Sequence, residues 1–357
     1  MQAAAAVAAL DAPTDETVAA EVEDHLRAVL LRERDRWAAI DPWFAEPVEL
    51  LTRSTLAGGK RLRPLFCRYG FLAAGGDPLE RSWLDVAAGI ELLHSFALLH
   101  DDVMDGSARR RGQPALHRHL DETHRRAGWR GEARRFGEGV SVLVGDLAFA
   151  CADRLVRSTG AAVGAVWDEL RTELMMGQYL DVVGACRGAL PVERALLVAR
   201  YKSGAYTVER PLHLGAALAG ADRDLVEAFS AFGRPLGEAF QLRDDLLGVF
   251  GDEATTGKPV GEDLREGKPT VLLALATERV GRQDADLLAV VGRPDLDAAD
   301  VARLRALLVD CGARDAVEQL IADRHRQALA ALDAAPVPEA IRARLRSLAA
   351  RAAWRQA

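Results

Sequence analysis

Two groups of aspartates stand in segments that are otherwise apolar. The first comprises Asp101, Asp102 and Asp105, and it follows the largely apolar run 92–100. On an α-helix Asp101 and Asp105 share one face, about 6 Å apart along the axis. Two carboxylates at that distance repel each other unless a cation lies nearby, and all-oxygen ligation suits Mg²⁺, which readily binds substrate phosphates as well. The alternative is a solvated acidic helix end, since structural charge clusters are common.

The second group is Asp244 and Asp245, preceded by Gln241. Gln241 lies three and four residues before the two acids, so a helix places all three side chains on one face. Two acidic motifs on helices that their apolar neighbours would bury are hard to explain as solvated surface. We therefore expect the two motifs to face each other across a cavity and to hold metal ions between them.

Basic residues accompany both acidic motifs. In the run 58–63, Lys60 and Arg63 place two donors three residues apart beside flexible glycines, a spacing that fits a diphosphate clamp. Further cations follow along the chain: Arg109, Arg110, Arg111, Lys202, Lys258 and Lys268. Any one of these side chains alone is more typical of a solvent-exposed protein surface than of a binding site. Together with the acids they predict a diphosphate substrate, and the apolar helices predict that the rest of that substrate is hydrocarbon.

The elements that must position these residues are predicted to be helices. Apolar residues recur at three- and four-residue spacing, and alternating strand patterns are scarce. The predicted helices span 21–39, 85–104, 139–158, 162–185, 192–218, 222–249, 269–280, 297–311, 314–333 and 337–354. The pattern predicts one all-α domain over 19–357 after a disordered tail of 1–18. The arginine-rich stretch 109–139 lacks a clear apolar period, and we expect a long surface loop that could be helical in part.

Composition narrows the class of protein. Lys and Arg total 46 against 53 Asp and Glu, a formal net charge of −7, which argues against a nucleic-acid binder. Hydrophobic residues make up 49% of the chain, enough for a substantial core, and no apolar run reaches the roughly 18 residues that span a bilayer. The N-terminus lacks the basic segment of a signal peptide, and the four cysteines lack CxxC spacing. We therefore expect free thiols, a cytoplasmic protein and no stable membrane insertion.

The runs 101–105, 110–112 and 240–245 together resemble the trans-isoprenyl diphosphate synthase (polyprenyl synthetase) family, and the likeness extends over about residues 55 to 280. The resemblance implies a single-domain helical bundle of the isoprenoid synthase type around a deep central cavity, usually as a homodimer. It also implies a prenyltransferase that joins isopentenyl diphosphate head to tail with an allylic diphosphate, which is dimethylallyl, geranyl or farnesyl diphosphate.

The same resemblance implies roles for individual residues. Three Mg²⁺ ions are implied, held by Asp101, Asp102, Asp105, Asp244 and Asp245. Isopentenyl diphosphate is expected at Lys60, Arg63, His94 and Arg111. The allylic diphosphate is expected at Arg110, Lys202, Lys258 and Lys268. Catalytic contributions are expected from Lys202, at the allylic diphosphate, and from Gln241 and Ser203, near the developing carbocation. Gln178 and Asp181 are expected as a further polar pair that lines the cavity.

Helix geometry supports one of these assignments. His94 lies seven residues before Asp101, two turns along the same face. A neutral core histidine is the alternative. Two features depart from the family pattern. Gly248 stands where the second motif usually ends in a third Asp; metal binding is expected to survive because Asp244 is the family's main ligand on that helix, with a lower affinity. The stretch 117–140 is longer than usual and of unknown role.

Product length is predicted from Phe96 and Ala97, the fifth and fourth residues before Asp101. A large residue followed by a small one resembles synthases that stop at geranylgeranyl diphosphate, with twenty carbons. On an ideal helix Ala97 lies about 40° from Asp101 and Phe96 about 140° away, so Phe96 forms a flanking wall. Ordinary core packing of Phe96 is the alternative.

Three other functions remain open at this point. The product could be farnesyl diphosphate or a chain of twenty-five or more carbons. A class I terpene cyclase would also use an Asp-rich motif, but Asp244, Asp245 and the clamp of Lys60 and Arg63 argue against it. A non-catalytic subunit that modulates another synthase is expected to have lost acids of the first motif, and all three are present.

Overall fold

The computed structural model describes residues 14–188, 190–252, 261–281, 284–293 and 295–354. In chain order its elements are α1 (Asp15–Ala38), a 3-10 turn (Pro42–Phe44), α2 (Ala45–Leu56), α3 (Leu62–Ala73), α4 (Trp83–Asp105), β1 (Arg109–Arg110), β2 (Gln113–Pro114), α5 (Leu116–Ala127), α6 (Ala133–Arg157), α7 (Ala161–Arg187), α8 (Val192–Val198), a π-helix (Ala199–Glu209), α9 (Arg210–Leu218), α10 (Arg223–Phe250), α11 (Glu262–Glu266), α12 (Val271–Arg279), α13 (Ala285–Leu288), α14 (Ala298–Asp310), α15 (Ala313–Ala334) and α16 (Glu339–Ala353). Over these residues the two short antiparallel strands are the exception, which confirms the all-α prediction.

The chain forms two compact units. The described residues up to Trp167 belong to the first, together with Pro211–Ala221, and the second contains Asp168–Arg210 and the described residues from Asp222 onward. In the first unit α4 is buried along most of its length and packs against α1, α2, α3 and α6. A Cβ on Gly89 would lie 2.4 Å from Cγ2 of Val156, so glycine permits the close approach of α4 to α6.

The first helix begins earlier than expected. The Thr14 side chain accepts a hydrogen bond from the backbone N–H of Thr17 at 3.2 Å, which caps α1. Val18 is fully buried, as are Val22 and Leu26 one and two turns later. The predicted tail of 1–18 is therefore wrong for residues 15–18, because the apolar stripe of α1 starts at Val18, and residues 1–13 lie outside the described part of the chain.

The stretch 109–139 is mostly helical, so the prediction of a long surface loop is wrong. A hairpin pairs Arg110 with Gln113, and α5 and the start of α6 follow. The inner face of α5 buries polar side chains, namely His117, Asp121 and His124, beside Leu120. Because Leu120 is the one apolar residue of this buried set, a search for apolar residues at helical spacing misses the helix, although its arginines lie on the opposite face.

Aromatic rings and ion pairs complete this helical pair. The His124 ring lies 5.9 Å from Trp129 and 5.2 Å from Phe136, measured between centroids. Three arginines pair with acids one turn away on their own helices: Arg125 with Asp121, Arg126 with Glu122, and Arg134 with Glu138. The surface of α5 and α6 therefore mixes both charges.

In the second unit α10 is the central helix. The Asp222 side chain accepts from the backbone N–H of Leu225 at 2.9 Å and caps its first turn. The helix packs against the π-helix, α11, α15 and α16. Gly204 of the π-helix and Gly237 of α10 approach so closely that a Cβ on either would lie under 3.0 Å from the other's backbone. This contact brings two candidate site segments together.

No helix within the described ranges is long and apolar enough to cross a bilayer. The four cysteines are free thiols. Burial raises the pKa of the Cys67 thiol to about 12 and that of Cys151 to about 11, so neither is a reactive thiolate.

Candidate active site

The first acidic motif occupies the last turn of α4, in the first unit. Gly106 ends the helix with a φ of 66°, and the Ser107 N–H donates to the Asp102 carbonyl at 3.0 Å. Asp101 and Asp105 are partly exposed, whereas Asp102 is buried. The helix therefore presents the predicted metal-binding pair to its surface and turns the middle aspartate inward.

The hairpin after α4 returns an arginine to the motif. Arg110 Nε donates to Oδ1 of Asp102 at 2.8 Å, and its Nη2 donates to Oδ2 of Asp101 at 3.4 Å. Charge-assisted bonds of this kind fix both partners. Asp102, expected to support metal binding, therefore positions Arg110, which was predicted to bind the allylic diphosphate.

The glycine-rich run 58–61, before α3, is held by Arg61, for which the sequence predicted no role. Gly58 and Gly59 have φ of 94° and 140°, and Arg61 is left-handed at 47°. Arg61 donates from Nη1 to Oε2 of Glu91 at 2.5 Å, and both side chains are buried. A second bond to the Thr55 carbonyl, at 3.1 Å, completes the anchor. The sequence did not predict a role for Glu91, because a single Glu in an apolar helix does not indicate which distant residue it pairs with.

The anchored loop brings the predicted clamp residues together. A Cβ on Gly59 would lie 3.3 Å from Nη2 of Arg111, so the loop backbone runs beside that guanidinium. Burial, followed by the positive charges of Arg63 and Arg111, holds the pKa of His94 well below its usual range. A neutral imidazole among guanidinium groups is suited to an anion such as a diphosphate. Lys60 is exposed at the edge of this group.

Phe96 points away from the face that carries Asp101. Its ring is buried and lies 4.5 Å from His100 and 5.0 Å from Phe149 of α6, measured between centroids. Ala97 is half-buried. This placement agrees with the angle derived from helix geometry. Phe149 was not identified in the sequence, because its contact with Phe96 depends on how α4 and α6 pack.

In the second unit, Lys202 and Ser203 lie in the π-helix. Segments of this kind are rare and frequently occur at functional sites. A Cβ on Gly177 would lie 2.1 Å from the backbone N of Lys202, so glycine lets α7 meet the π-helix. Lys202 Nζ then donates to Oδ2 of the buried Asp181 at 2.5 Å.

The second acidic motif lies on α10. Gln241 Nε2 donates to Oδ1 of Asp245 at 2.7 Å, as their four-residue spacing predicts. Burial and then the negative charge of Asp263 raise the pKa of Asp245 to about 7, a shift that the bond from Gln241 opposes. Asp244 is half-buried on the same helix. Carboxylates gathered in a buried place are costly unless a cation joins them.

Asp263 and Lys268, whose charges both act on the pKa of Asp245, extend this group. Lys268 Nζ lies 2.9 Å from Oε2 of Glu266 and 3.5 Å from Oδ1 of Asp263. The sequence did not indicate Asp263, because it belongs to neither acidic motif. The one feature that could have drawn attention to it is its position between Lys258 and Lys268. Lys258 lies outside the described residues.

Each unit therefore carries an aspartate-rich helix and cations suited to phosphate, in an all-α framework. That combination is typical of helical proteins that bind diphosphates with the help of metal ions. The chain belongs to the polyprenyl synthetase family, whose model matches residues 41–308 and so covers parts of both units.

Named relatives agree with this assignment. The chain is 35% identical to a geranylgeranyl diphosphate synthase of Mycobacterium tuberculosis over 298 residues, 81% of this chain and 78% of that protein. It is 34% identical to a geranylfarnesyl diphosphate synthase of Aeropyrum pernix over 271 residues, 73% and 79% of the two chains. The crystal structure of the Corynebacterium glutamicum geranylgeranyl pyrophosphate synthase, complexed with isoprenyl diphosphate and magnesium, matches with a TM-score of 0.89 at 41% identity, covering 93% and 97%. The family predicted from the sequence is confirmed.

Proposed function

We propose that this enzyme joins isopentenyl diphosphate to an allylic diphosphate and releases geranylgeranyl diphosphate as its main product. The observation that carries the proposal is the cationic group around His94, formed by Arg63 and Arg111. A synthase needs a separate site for the diphosphate of its nucleophile, and a terpene cyclase does not. The synthase names of the relatives support the same activity.

The donor set fits magnesium. Asp101 and Asp105 share one helix face, and Asp245 is buried among acids that raise its pKa. All-oxygen donors of this kind are those that Mg²⁺ prefers. We propose that Asp101, Asp105 and Asp244 are direct ligands of up to three Mg²⁺, which when bound would neutralise the charge that develops on the leaving diphosphate.

The other side chains of the site would bind and position the two substrates. Lys202 and Arg110 would donate hydrogen bonds to the allylic diphosphate, and each is held in place by a carboxylate. Arg63 and Arg111 would fix isopentenyl diphosphate so that its double bond lies near the allylic carbon. Gln241 and Ser203 would place their dipoles near the carbocation. The proton lost in the last step would go to the departing diphosphate, because the carboxylates and the imidazole assigned to the site would already be engaged by Mg²⁺, basic side chains or isopentenyl diphosphate.

The length of the prenyl product is proposed separately from the prenyltransferase activity. The relatives bear geranylgeranyl and geranylfarnesyl names, which differ by one isoprene unit. Here Phe96 is buried and its ring contacts that of Phe149 at an interplanar angle of 58°, so the two rings together would form the wall beside the growing chain. We propose that this wall stops growth at twenty carbons.

We also propose a homodimer and a cytoplasmic location. On α7, Met175, Met176, Tyr179 and Val182 are exposed at helical spacing, and a second copy of the chain would bury them. The free thiols are those that a reducing compartment maintains. Light scattering should give twice the chain mass, and Tyr179→Glu should lower it to that of the monomer.

The decisive experiment incubates purified protein with Mg²⁺, isopentenyl diphosphate and, separately, dimethylallyl, geranyl or farnesyl diphosphate. Chromatography of the dephosphorylated products should show geranylgeraniol. Farnesol or longer alcohols would correct the chain length alone. Cyclic hydrocarbons formed without isopentenyl diphosphate would indicate a cyclase, and no product in any mixture would indicate a modulator subunit.

A further inference from the structure

A buried carboxylate of α10 bonds the first turn of the π-helix. Glu238 is only 2% exposed. Arg200 donates from Nε to Oε1 of Glu238 at 2.9 Å, and from Nη2 to the same oxygen. Nε of Arg324, on α15, lies 2.6 Å from the other oxygen, Oε2, as an ion pair that lacks the alignment of a hydrogen bond. One carboxylate therefore joins the π-helix, α10 and α15.

A second ion pair holds the last residue of the π-helix. The buried Glu209 accepts a hydrogen bond from Nε of Arg234 at 2.9 Å, and a Cβ on Gly233 would lie 2.8 Å from Cα of Glu209. Between the two ion pairs lies the close contact of Gly204 with Gly237. Residue numbers fall along α10 as they rise along the π-helix, so the two segments run antiparallel and contact each other at three successive levels.

The winding of the π-helix makes these contacts important. The segment is eleven residues long, whereas most π-helical segments are single turns within an α-helix. Wound as an α-helix, with bonds four residues back, eleven residues would make about three turns. With bonds five residues back they make fewer turns. A return to α-helical winding would therefore turn Lys202 and Ser203 relative to the ends of the segment.

Ion pairs at both ends oppose such a change. Apolar packing has no preferred direction, so it would allow the π-helix to rewind or slide on α10. A buried carboxylate that loses a cationic partner is strongly destabilised, so Arg200 cannot readily leave Glu238. Arg200 points to α10, whereas Lys202, two residues later, donates to Asp181 of α7. The two cations therefore fix the segment from different sides.

We propose that Glu238 and Arg200 are positioning residues, which hold the π-helix in the winding that presents Lys202 and Ser203 to the substrate. The inference rests on the proposed function, because it assumes that Lys202 binds the allylic diphosphate. Neither Glu238 nor Arg200 is assigned a contact with substrate or metal. Their effect on the reaction would pass through Lys202.

Steady-state kinetics of Arg200→Met tests the proposal first. The variant keeps a side chain of similar length but loses the bond to Glu238, so kcat should fall by about tenfold to a hundredfold as Lys202 is displaced. KM for isopentenyl diphosphate should stay within about twofold of wild type. Glu238→Gln keeps the shape of the side chain and should change the same constants in the same direction. The matched control is Arg326→Met, which removes an exposed arginine paired with Asp323 on α15 and should leave kcat unchanged.

A double variant distinguishes positioning from a general loss of structure. If Arg200 acts through Lys202, the variant Arg200→Met with Lys202→Ala should have a kcat within about threefold of Lys202→Ala alone. If Arg200 serves the fold or the reaction independently, the two losses should multiply. Glu238→Gln with Lys202→Ala repeats the comparison, and circular dichroism checks that each variant is folded.

Two results would overturn the inference and leave the proposed function intact: an unchanged kcat in Arg200→Met or in Glu238→Gln, or losses that multiply in the double variants. A wild-type protein that formed no prenyl product would overturn the proposed function instead. In that case calorimetric titration of inorganic pyrophosphate in the presence of Mg²⁺ would still test the positioning. Arg200→Met should then weaken pyrophosphate binding as Lys202→Ala does, and wild-type affinity in Arg200→Met would contradict the inference.

Discussion

Lys202 Nζ lies 2.5 Å from Oδ2 of Asp181, and the pair joins the π-helix to α7. Both side chains are largely buried, so water competes poorly for the hydrogen bond between them. The carboxylate accepts a hydrogen bond from the ammonium group and so holds it at one place. A lysine oriented in this way before substrate arrives is suited to stabilising a leaving diphosphate.

We expect Lys202→Ala to lower kcat by roughly two to three orders of magnitude, because its contribution grows as charge develops on the leaving group. Asp181→Asn should lower kcat less, since the ammonium remains but loses its anchor. Steady-state kinetics measures both. The control Arg187→Ala removes an exposed cation at the end of α7 and should leave kcat unchanged. A Lys202→Ala variant that altered only KM would contradict the assignment.

Arg63→Ala should mainly raise KM for isopentenyl diphosphate, by about tenfold to a hundredfold, because this residue would bind the nucleophile's diphosphate equally before and during reaction. KM for the allylic substrate should change little. The exposed Arg53 on α2 offers a matched control as Arg53→Ala. If the allylic KM rose instead, the two diphosphate sites would have been exchanged in our assignment.

Asp101→Ala and Asp244→Ala should each reduce turnover by orders of magnitude and shift the Mg²⁺ dependence to higher concentration. Each removes a proposed direct ligand from one acidic helix. Initial rates over a Mg²⁺ titration report both effects. Asp24→Ala on α1, an exposed acid outside the site, is the control. Near wild-type turnover at low Mg²⁺ in either variant would argue against metal binding by that helix.

Phe96→Ala should lengthen the product beyond twenty carbons, because removing the ring opens space beside the growing chain. Phe149→Ala should do so to a smaller extent, since Phe149 supports the ring of Phe96. Ala97→Phe should shorten the product to farnesyl or geranyl diphosphate. Chromatography of the dephosphorylated alcohols gives each distribution, with Leu84→Ala, a buried change at the other end of the same helix, as the control. An unchanged product from Phe96→Ala would assign that ring to core packing alone.

The free energy of unfolding should depend on pH through His94. Its folded-state pKa lies well below 6.5, so below about pH 6.5 the unfolded chain takes up a proton that the folded chain does not. Stability is therefore present above that pH and is lost as the pH falls. At pH 5 the loss amounts to up to about 2 kcal/mol.

The His94→Asn variant should lack this part of the pH dependence. Urea denaturation at pH 5 and pH 7.5 measures the difference between the two conditions, which does not depend on any constant effect of the substitution. The exposed His119 provides the control His119→Asn. Equal pH dependence in wild type and His94→Asn would mean that His94 is protonated in the folded protein.

Local spacing was sufficient to predict much of this protein. The apolar periods of α1, α4 and α10 predicted helices there, and helix geometry predicted that Gln241 and Asp245 would meet one turn apart. The same geometry placed Phe96 away from the face of Asp101. These properties depend on residues within two turns of one another, so a sequence pattern contains them.

Contacts between distant segments required the tertiary structure. The helix α5 was missed because its inner face is built from His117, Asp121 and His124, polar residues whose burial depends on the packing of α6. The anchor between Arg61 and Glu91 and the packing of Phe149 on Phe96 also join separate helices.

Asp263 shows the limit most clearly. The sequence alone established that position 248 lacks its usual acid, and from that it predicted weaker metal binding. The fold brings the carboxylate of a residue fifteen positions later into the space above Gly248. Spacing along the chain cannot reveal a side chain that reaches α10 from another element, because that approach depends on how the elements pack.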